Sequence, residues 1–350
     1  MRLTYQQAGV DVRKIRKTQT DIGNMIKETF VFQNIGKVIT GFGHYSGLIE
    51  IGSSVFALHT DGVGTKLIIA QKMGIYHTVG IDCIAMNVND IICVGAKPFG
   101  FVDYIALKSL NKKLVQEIME GLVLGAKMAK TAIIGGETAI VPDLLSEKQN
   151  VFDLAGTAFG IGKKNKLILG DKIQEEDLIF GLESNGLHSN GYTLARKVLT
   201  KLSLDKRPKD WTLNLGEELL APTYIYVGPI MELLEKKIKI SGLANITGGA
   251  FTKLKRLNER ICFNLNNLPE PRSQIFNLIQ HEGKITSNEM YKTFNMGIGF
   301  CIIAPKESEE SIMKIVKKYK IKSYQIGKTS KKRNASVVAS IQGKRFVLQK

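Results

Sequence analysis

The stretch with the most evident chemistry reads HTDGVGTK, from His59 to Lys66, and lies between two apolar runs. A strand should end here and a helix begin. The two glycines allow backbone N–H groups to approach a ligand closely, and the threonine and lysine add a hydroxyl and an ammonium suited to phosphate oxygens. The aspartate would repel a phosphate unless a magnesium ion lay between them. The candidate nucleotide-binding residues are therefore Asp61, Gly62, Gly64, Thr65 and Lys66.

The same stretch also fits an ordinary strand-turn-helix junction, in which glycine supplies shape and the threonine and lysine are solvated. It is not a Walker loop, because the spacing Gly-x-x-x-x-Gly-Lys is absent, and it is not a Gly-x-Gly-x-x-Gly dinucleotide fingerprint. A short glycine motif alone leaves both interpretations open.

A predicted helix downstream adds further acids. Apolar residues recur at i, i+3, i+4 and i+7 over residues 81–92, which predicts one amphipathic helix. At about 100° per residue, Asp82 and Asn89 share a flank of this helix and Asp90 lies further round. Carboxylates beside a buried stripe are costly unless they are solvated, paired or bound to a cation. With Asp61 they could hold one or two magnesium ions; the alternative is that Asp82 caps the helix and Asp90 faces water.

Two glycine-rich turns in the first half supply further candidates. The loop GFGHYSG at 41–47 fits either a mobile lid containing Gly41 and Gly43 or a plain turn. The residues TAII at 131–134 predict a short buried strand, followed by GGET. Loops at strand ends often carry function, so Glu137 is a candidate ligand-binding acid.

The second half repeats the pattern of a strand, a glycine turn and a helix. The turn SNGLHSNG at 184–191 and the turn ITGGAF at 246–251 both aim backbone N–H groups at an anion. His188 lies in the first of these turns. Its ordinary pKa of about 6.5 suits proton transfer, although a single histidine at a turn is more often structural or exposed.

Composition limits the class of protein. A chain of 350 residues with 44% hydrophobic residues can bury a large core and suggests two domains. The formal charge of +17 would suit nucleic acid or an anionic membrane, but the lysines are dispersed and no aromatic-basic stripe accompanies them. We therefore expect a solvated basic surface and no nucleic-acid partner. Four scattered cysteines without a Cys-x-x-Cys pair, and the lack of a long apolar segment, predict a cytoplasmic protein without a membrane span.

Strands and helices are intermixed without a regular βαβ series, so we predict an α+β fold with two domains, 1–165 and 166–350, rather than a doubly wound sheet. Site-like turns in both halves predict a ligand cleft between domains, between subunits, or both. The predicted strands are 99–107, 151–162, 177–182 and 294–304. The predicted helices are 192–202, 223–237 with a kink or break at Gly228-Pro229, 271–281 and 307–319, followed by a C-terminal hairpin around Gln342-Gly343.

In their order along the chain these motifs resemble the phosphoribosylformylglycinamidine cyclo-ligase family, also called aminoimidazole ribonucleotide synthetases, of purine biosynthesis. Eight ordered motifs are far more specific than any one of them. One departure is Ala250, which stands where a glycine is common and matters if the backbone there is left-handed. The matching segments are Tyr5 to Asp11, His59 to Lys66, Gly80 to Asp90, Gly135 to Thr138, Gly186 to Tyr192, Leu220 to Tyr226, Ile246 to Gly249 and Tyr291 to Gly299.

The resemblance implies a homodimer that shares its N-terminal sheets, with ATP and Mg²⁺ in a cleft involving both domains. It implies that Asp61 and Asp90 lie near Mg²⁺ and the phosphates, that Lys66 contacts phosphate, and that the loop at Gly41 to Gly43 covers the nucleotide. It also implies a polar turn on the substrate side and a turn that holds a phosphate, formed by His188, Ser189, Asn190, Thr247, Gly248 and Gly249.

The implied reaction is the ATP-dependent cyclisation of formylglycinamidine ribonucleotide to aminoimidazole ribonucleotide, with release of ADP and phosphate. An amide oxygen leaves poorly, so ATP would phosphorylate the formyl oxygen before the ring nitrogen displaces phosphate. Phosphoryl transfer needs positioning and charge neutralisation, for which Asp61 and Lys66 are the candidates, while His188 would shuttle a proton. The alternatives are another ATP-dependent phosphoryl transferase, such as selenophosphate synthetase or thiamine-phosphate kinase, and a non-catalytic nucleotide- or nucleic-acid-binding protein.

Overall fold

The computed structural model describes residues 4–32, 35–40, 43–146, 150–331 and 336–349, so the candidate residue Gly41 lies outside the described chain. Two mixed sheets organise these residues, one in each half of the sequence. The helices are α1 Val12–Lys27, α2 Leu67–Met73, α3 His77–Cys93, α4 Lys112–Ala129, α5 Tyr192–Val198, α6 Leu215–Leu220, α7 Val227–Glu235, α8 Ile275–Gly283, α9 Ser287–Thr293 and α10 Glu309–Lys318.

The strands follow the two halves of the chain. Those of the first half are β1 Lys37–Val38, β2 Gly47–Ile51, β3 Ser54–Gly62, β4 Lys97–Leu107, β5 Ala132–Ile140 and β6 Phe152–Lys163. Those of the second half are β7 Leu178–Glu183, β8 Gly242–Asn245, β9 Ile261–Leu265, β10 Ile298–Ala304, β11 Ser323–Lys331, β12 Val337–Ile341 and β13 Lys344–Gln349.

The first sheet has the order β1-β2-β3-β6-β4-β5, and only the β4/β5 pair is parallel. Its inner face packs on α3, which itself packs on α4. The two helices approach closely where each carries a glycine: a Cβ atom on Gly121 would lie 1.8 Å from the carbonyl oxygen of His77, and one on Gly80 would lie 2.3 Å from that of Ile118. Glycine at these positions therefore sets the spacing of the layer beneath the sheet.

The second sheet has the order β13-β12-β9-β11-β7-β10-β8, and only the β12/β9 pair is parallel. Strand β10, which lies between β7 and the edge strand β8, is buried along its whole length. Helix α3 also contacts β8 and α7 of this half, so it lies between the two sheets. The α+β prediction is confirmed, whereas the boundary between 165 and 166 stays a prediction, supported by the gap between the end of β6 and the start of β7.

Helix α3 differs from the predicted amphipathic helix. Every residue from Val79 to Cys93 is buried, because both sheets cover it, so a single apolar stripe does not describe it. Since α3 begins at His77, Asp82 lies inside the helix and cannot cap it. Asp90, which is 5% exposed, does not face water either. The alternatives in which Asp82 caps the helix and Asp90 faces water are therefore both wrong.

Three other boundaries depart from the sequence prediction. The strand predicted at 131–134 continues to Ile140 as the exposed edge strand β5, so GGET is part of the strand and not a loop after it. The helix predicted from 223 begins at Val227, which puts Pro229 in the first turn, where a missing N–H costs nothing. The helix predicted from 271 begins at Ile275.

The remaining predicted elements agree with the structure to within a few residues, including the C-terminal hairpin β12/β13. Among the described residues, no helix is both long and apolar enough to cross a membrane.

Candidate active site

Two carboxylates converge where β3 ends beside α3. Asp61 lies one residue before the end of β3, on the face of the sheet that packs on α3, and its Oδ1 accepts the backbone N–H of Gly62 at 2.8 Å. Asn87 of α3 donates to the Asp61 carbonyl oxygen at 3.2 Å. The side chain of Asp90 is 6% exposed, and its Oδ2 lies 3.5 Å from Nε2 of His59.

The second half of the chain completes this cluster. Asn245, the last residue of β8, donates from Nδ2 to Oδ1 of Asp90 at 2.6 Å. Lys253 lies in the 3-10 helix Ala250–Arg256 and donates from Nζ to the hydroxyl oxygen of Thr247, while its ammonium lies 5.8 Å from the centre of the Tyr45 ring. The site is thus assembled from both sheets.

The pKa of Asp61 reports how close these charges are. Burial raises the pKa of this carboxyl above its ordinary value and the negative charge of Asp90 raises it further, while His59 and Lys253 oppose the shift. Two neighbouring carboxylates that resist being charged together are stabilised by a cation between them. Asp61 and Asp90 therefore form an acidic pair that suits a hard cation with oxygen ligands.

A magnesium ion fits this pair without a complete protein cage. Within the described ranges, no three His, Cys, Asp or Glu side chains gather closely enough to hold a metal ion. Mg²⁺ is commonly held by one or two carboxylates together with water and substrate phosphates. Oδ2 of Asp61 makes no described hydrogen bond, and Oδ2 of Asp90 has only the long contact to His59. The free carboxylate oxygens are the ones such an ion would need.

The two glycine turns of the second half lie beside one another. A Cβ atom on Gly248 would lie 3.0 Å from Oδ1 of Asn190, and Nδ2 of Asn190 lies 3.9 Å from the sulfur of Met86 on α3. Gly248 is exposed, whereas Thr247 is 4% exposed. The predicted substrate residues Asn190 and Thr247 to Gly249 therefore share one surface next to α3.

The backbone at Ala250 is left-handed, with φ +46°, and follows Gly249 at φ +84°. Alanine in this region costs about 1 kcal/mol or more relative to glycine. Ala250 therefore replaces the family glycine at a position where the left-handed backbone favours glycine.

Lys66 does not join this surface. Its side chain is fully buried, and Nζ lies 2.7 Å from Oδ2 of Asp82 while donating to the carbonyl oxygens of His188 at 3.1 Å and Ala221 at 2.7 Å. These three acceptors use all three N–H groups of the ammonium. In this structure Lys66 joins the two halves of the chain instead of facing a phosphate.

Asp82 and Asn89 are likewise engaged between the two halves. Oδ1 of Asp82 accepts the N–H of Thr223 at 2.7 Å and its hydroxyl at 2.6 Å. Asn89 donates to the carbonyl oxygen of Tyr224 at 2.8 Å and accepts the N–H of Tyr226 at 2.9 Å. Neither side chain has a free polar group for a cofactor, so the prediction that they bind one is corrected to a role in joining the halves.

His188 is 1% exposed and has a left-handed backbone with φ +61°. Its ring packs against Tyr224 and Tyr226, with ring centres 6.2 Å apart in both cases, and neither ring nitrogen has a hydrogen-bond partner among the described residues. Burial, and then the charge of Lys66, lower the pKa of His188 to about 3. The ring is therefore neutral at pH 7, so it lacks the imidazolium proton that a general acid would donate.

The other candidates divide between the two surroundings. Thr65 contacts the hydroxyl of Thr193 at 3.2 Å, and Ser189 contacts that of Thr223 at 3.1 Å. Gly64 and Gly43 are exposed with φ +71° and +108°.

Glu137 lies away from the acidic pair. It is in the cross-strand row Gly62, Ala155, Tyr104, Glu137, so three strand spacings, about 14 Å, separate it from the end of β3. It also lies on the outer face of the sheet, so one chain does not bring Glu137 to Asp61.

Comparison with known proteins gives the class. A family model described as AIR synthase related protein, N-terminal domain, matches residues 43–162, and one described as AIR synthase related protein, C-terminal domain, matches residues 174–340. The hydrogenase maturation protein HypE in complex with ATP aligns with a TM-score of 0.60 at 17% identity over 84% of each chain. AaThiL complexed with AMPPCP and TMP gives 0.63 at 18%, over 93% of this chain and 94% of its own. These two likenesses show the fold of the AIR synthase related proteins.

Relatives at higher identity define the family more closely. The phosphoribosylformylglycinamidine cyclo-ligase of Pyrococcus furiosus is 45% identical over 348 residues, covering 99% of this chain and all of its own. That of Methanobrevibacter smithii is 45% identical over 320 residues, covering 91% of this chain and 92% of its own. The chain therefore belongs to the phosphoribosylformylglycinamidine cyclo-ligase family.

The buried ion pair generates a stability prediction. Replacing Lys66 by Met leaves the Asp82 carboxylate and two carbonyl oxygens buried without their partner, which should reduce the free energy of unfolding by about 3 to 5 kcal/mol. Denaturant unfolding measures the change. The control is Lys164→Met, which removes an exposed partner of Glu50 and should cost less than about 1 kcal/mol. Equal losses in the two variants would contradict this account of Lys66.

The buried imidazole generates a prediction about pH. Because the pKa of His188 falls to about 3 on folding, the unfolded chain binds a proton below its ordinary pKa and the folded chain does not. Between pH 7 and pH 5 this should reduce the free energy of unfolding by about 2 kcal/mol. His188→Asn, which tolerates the left-handed backbone, should lose less stability over this interval. His281→Asn, at an exposed site, should behave as the wild type; if His188→Asn does so too, the assignment is wrong.

Proposed function

We propose that this protein catalyses the ATP-dependent cyclisation of formylglycinamidine ribonucleotide to aminoimidazole ribonucleotide in the cytoplasm. The observation that carries the proposal is that the acidic pair Asp61 and Asp90 lies near the turn Thr247 to Gly249. The pair and the turn lie on opposite sides of the seam, the surface along which helix α3 contacts the second half of the chain. Relatives of this activity at 45% identity over most of the chain support the substrate. Another phosphoryl transferase of the same fold has in its favour only structural likeness at 17% to 18% identity.

In this proposal Asp61 and Asp90 would hold Mg²⁺, and the ion would supply positive charge beside the nucleotide phosphates. The backbone around Gly62 and Gly64, together with the Thr65 hydroxyl, contacts phosphate oxygens. The γ-phosphoryl group passes from ATP to the formyl oxygen of the substrate and ADP leaves. The amidine nitrogen then bonds to the formyl carbon, the carbon-oxygen bond breaks with release of phosphate, and one proton is lost to close the ring.

The proposed roles of Lys66 and His188 are to position other groups. Lys66 fixes the carbonyl oxygen of His188, which sets the start of the turn containing Asn190 on the substrate side. A neutral His188 ring keeps the cleft wall apolar beside Tyr224. Neither residue exchanges a proton with substrate in this scheme.

The function is tested by incubating the purified protein with formylglycinamidine ribonucleotide, ATP and Mg²⁺. ADP and the aromatic aminoimidazole product should form in equal amounts, and neither should form without the ribonucleotide. ATP hydrolysis that is indifferent to this substrate but depends on another phosphoryl acceptor would favour the alternative transferase.

Asp61 should show a trade between activity and stability. Its raised pKa means that ionisation costs folding free energy once the pH passes the ordinary carboxyl value, so at pH 7 the charge destabilises the fold. Asp61→Asn should therefore abolish ADP formation and raise the melting temperature, and Mg²⁺ with ATP should no longer add to that temperature. Asp171→Asn, at an exposed position, is the control. Normal turnover by Asp61→Asn would refute the metal role.

We also propose that the protein is a homodimer joined through the first sheet. In the described ranges, helix α3 packs on the inner face of this sheet and α4 packs on α3, whereas the outer face and the edge strand β5 carry exposed apolar side chains. Tyr104 is 42% exposed, Ile134 64% and Ile161 39%. An apolar face of this kind needs a cover, and a second copy supplies an identical sheet. Glu137 lies on the same face, so any contribution to a nucleotide site would be made at this interface.

Sedimentation tests the dimer. The wild type should sediment with twice the mass of one chain, and Ile134→Asp should sediment as a monomer with unchanged circular dichroism, because it places a charge in the proposed interface. Leu213→Asp changes an exposed apolar residue, 41% exposed, in the second half of the chain and should leave the dimer intact. A dimeric Ile134→Asp variant would exclude this face.

A further inference from the structure

The positive charge that the HTDGVGTK motif is predicted to supply is not available at the site, because Lys66 is enclosed and fully bonded. Another lysine takes that place. Lys253 comes from the 3-10 helix that follows the Gly248-Gly249 turn, and its side chain is only partly buried. No pattern in the sequence identifies it as a site residue.

One hydrogen bond, one ring contact and one electrostatic interaction locate the Lys253 ammonium. It donates to the hydroxyl of Thr247, it lies over the ring of Tyr45, and it is among the charges that act on Asp61. Burial lowers the pKa of Lys253 below its ordinary value, and the charges of Asp90 and Asp61 oppose this shift. The ammonium therefore lies at the glycine turn, close enough to the acidic pair to act on its charge.

The glycine turn offers further hydrogen-bond donors beside that ammonium. The turn closes through a 2.7 Å hydrogen bond from the N–H of Ala250 to the carbonyl oxygen of Thr247. The N–H groups of Gly248 and Gly249 donate to no other group in the described part of the chain. Two free N–H groups next to an ammonium have the chemistry of a phosphate cradle.

We propose that Lys253 is the cationic residue that binds a phosphoryl group in this site, together with the N–H groups of Gly248 and Gly249. The choice between the phosphates of the nucleotide and the ribose 5-phosphate of the substrate rests on the proposed function. The proposal that Lys253 binds a phosphate does not rest on that function. Before ligand binds, the ammonium offsets the charge of the acidic pair; when ligand binds, it contacts phosphate oxygens.

The test measures binding directly, so that it does not depend on turnover. Isothermal titration with Mg²⁺-ATP and, separately, with ribose 5-phosphate is carried out on the wild type, Lys253→Met and Lys253→Arg. Removing one charge-assisted contact should weaken binding of one of the two probes by about 10- to 100-fold. Lys253→Arg keeps the charge and should recover part of that loss.

A matched control is Lys255→Met, which removes a lysine from the same 3-10 helix without a described contact to the acidic pair. It should bind both probes within about twofold of the wild type. A loss confined to Mg²⁺-ATP identifies the nucleotide phosphates as the ligand of Lys253, and a loss confined to ribose 5-phosphate identifies the substrate phosphate. Equal affinities of Lys253→Met and the wild type for both probes would overturn the proposal.

The outcome is separable from that of the proposed function. If the wild type forms no aminoimidazole product but Lys253→Met still binds Mg²⁺-ATP more weakly, the reaction is wrong and the phosphate contact stands. The melting temperature of each variant shows that it is folded, and Lys253→Arg serves if Lys253→Met does not fold.

Discussion

The structure depends on a fully buried ion pair at the seam of its two halves. Lys66 and Asp82 belong to the first half, yet the other partners of both side chains belong to the second: the carbonyl oxygens of His188 and Ala221 for the lysine, and both donors of Thr223 for the aspartate. An isolated charge at this depth would be very costly. The pair is tolerable only when both halves are present and aligned, so it specifies their arrangement more than it adds stability.

This arrangement determines what helix α3 can do. From Val79 to Cys93 the helix is buried, and at successive turns it presents three polar residues to the second half: Asp82 to Thr223, Asn89 to Tyr224 and Tyr226, and Asp90 to Asn245. Between them the sulfur of Met86 contacts Asn190. Most of these groups are fully bonded and act as fixed supports. Only at the Asp90 end do free carboxylate oxygens remain, and there Asp61 and Lys253 approach as well. The proposed ligand site therefore lies at the end of helix α3 that carries Asp90.

Much of this could be predicted from the sequence. The strand end at Asp61 and the helix at 81–92 predict a group of acids, the resemblance implies that Asp61 and Asp90 act together, and the structure brings these two together. The resemblance also implies that the turn at Asn190 lies on the substrate side and that the turn at Gly248 holds a phosphate, and the structure places the two turns beside one another. These predictions succeed because strand ends and glycine turns are local features, and local features determine where a backbone can approach a ligand.

The errors have a common physical cause. The sequence around a residue does not show whether the other half of the chain will cover its side chain and take its hydrogen bonds. Lys66, Asp82 and Asn89 have the residue types of a cofactor site, but the second half of the chain takes their hydrogen bonds. Glu137 was assigned to a loop because paired glycines suggest a turn, yet β5 continues through them as an edge strand. The sequence does not predict Lys253 as a site residue, because it lies beyond the glycine turn and only the fold brings its ammonium to Thr247 and Tyr45.

The central claim is that one ligand site is built from both halves of the chain, and a double-mutant cycle measures it most directly. The affinity for the probe that Lys253 binds, Mg²⁺-ATP or ribose 5-phosphate, is determined for the wild type, Asp61→Asn, Lys253→Met and the double variant. A shared site predicts a coupling free energy of at least about 1 kcal/mol between the two changes, since neighbouring groups acting on one ligand are not additive. Effects that add to within about 0.3 kcal/mol would show that the two residues serve separate places, and the account of the seam as the active site would fail.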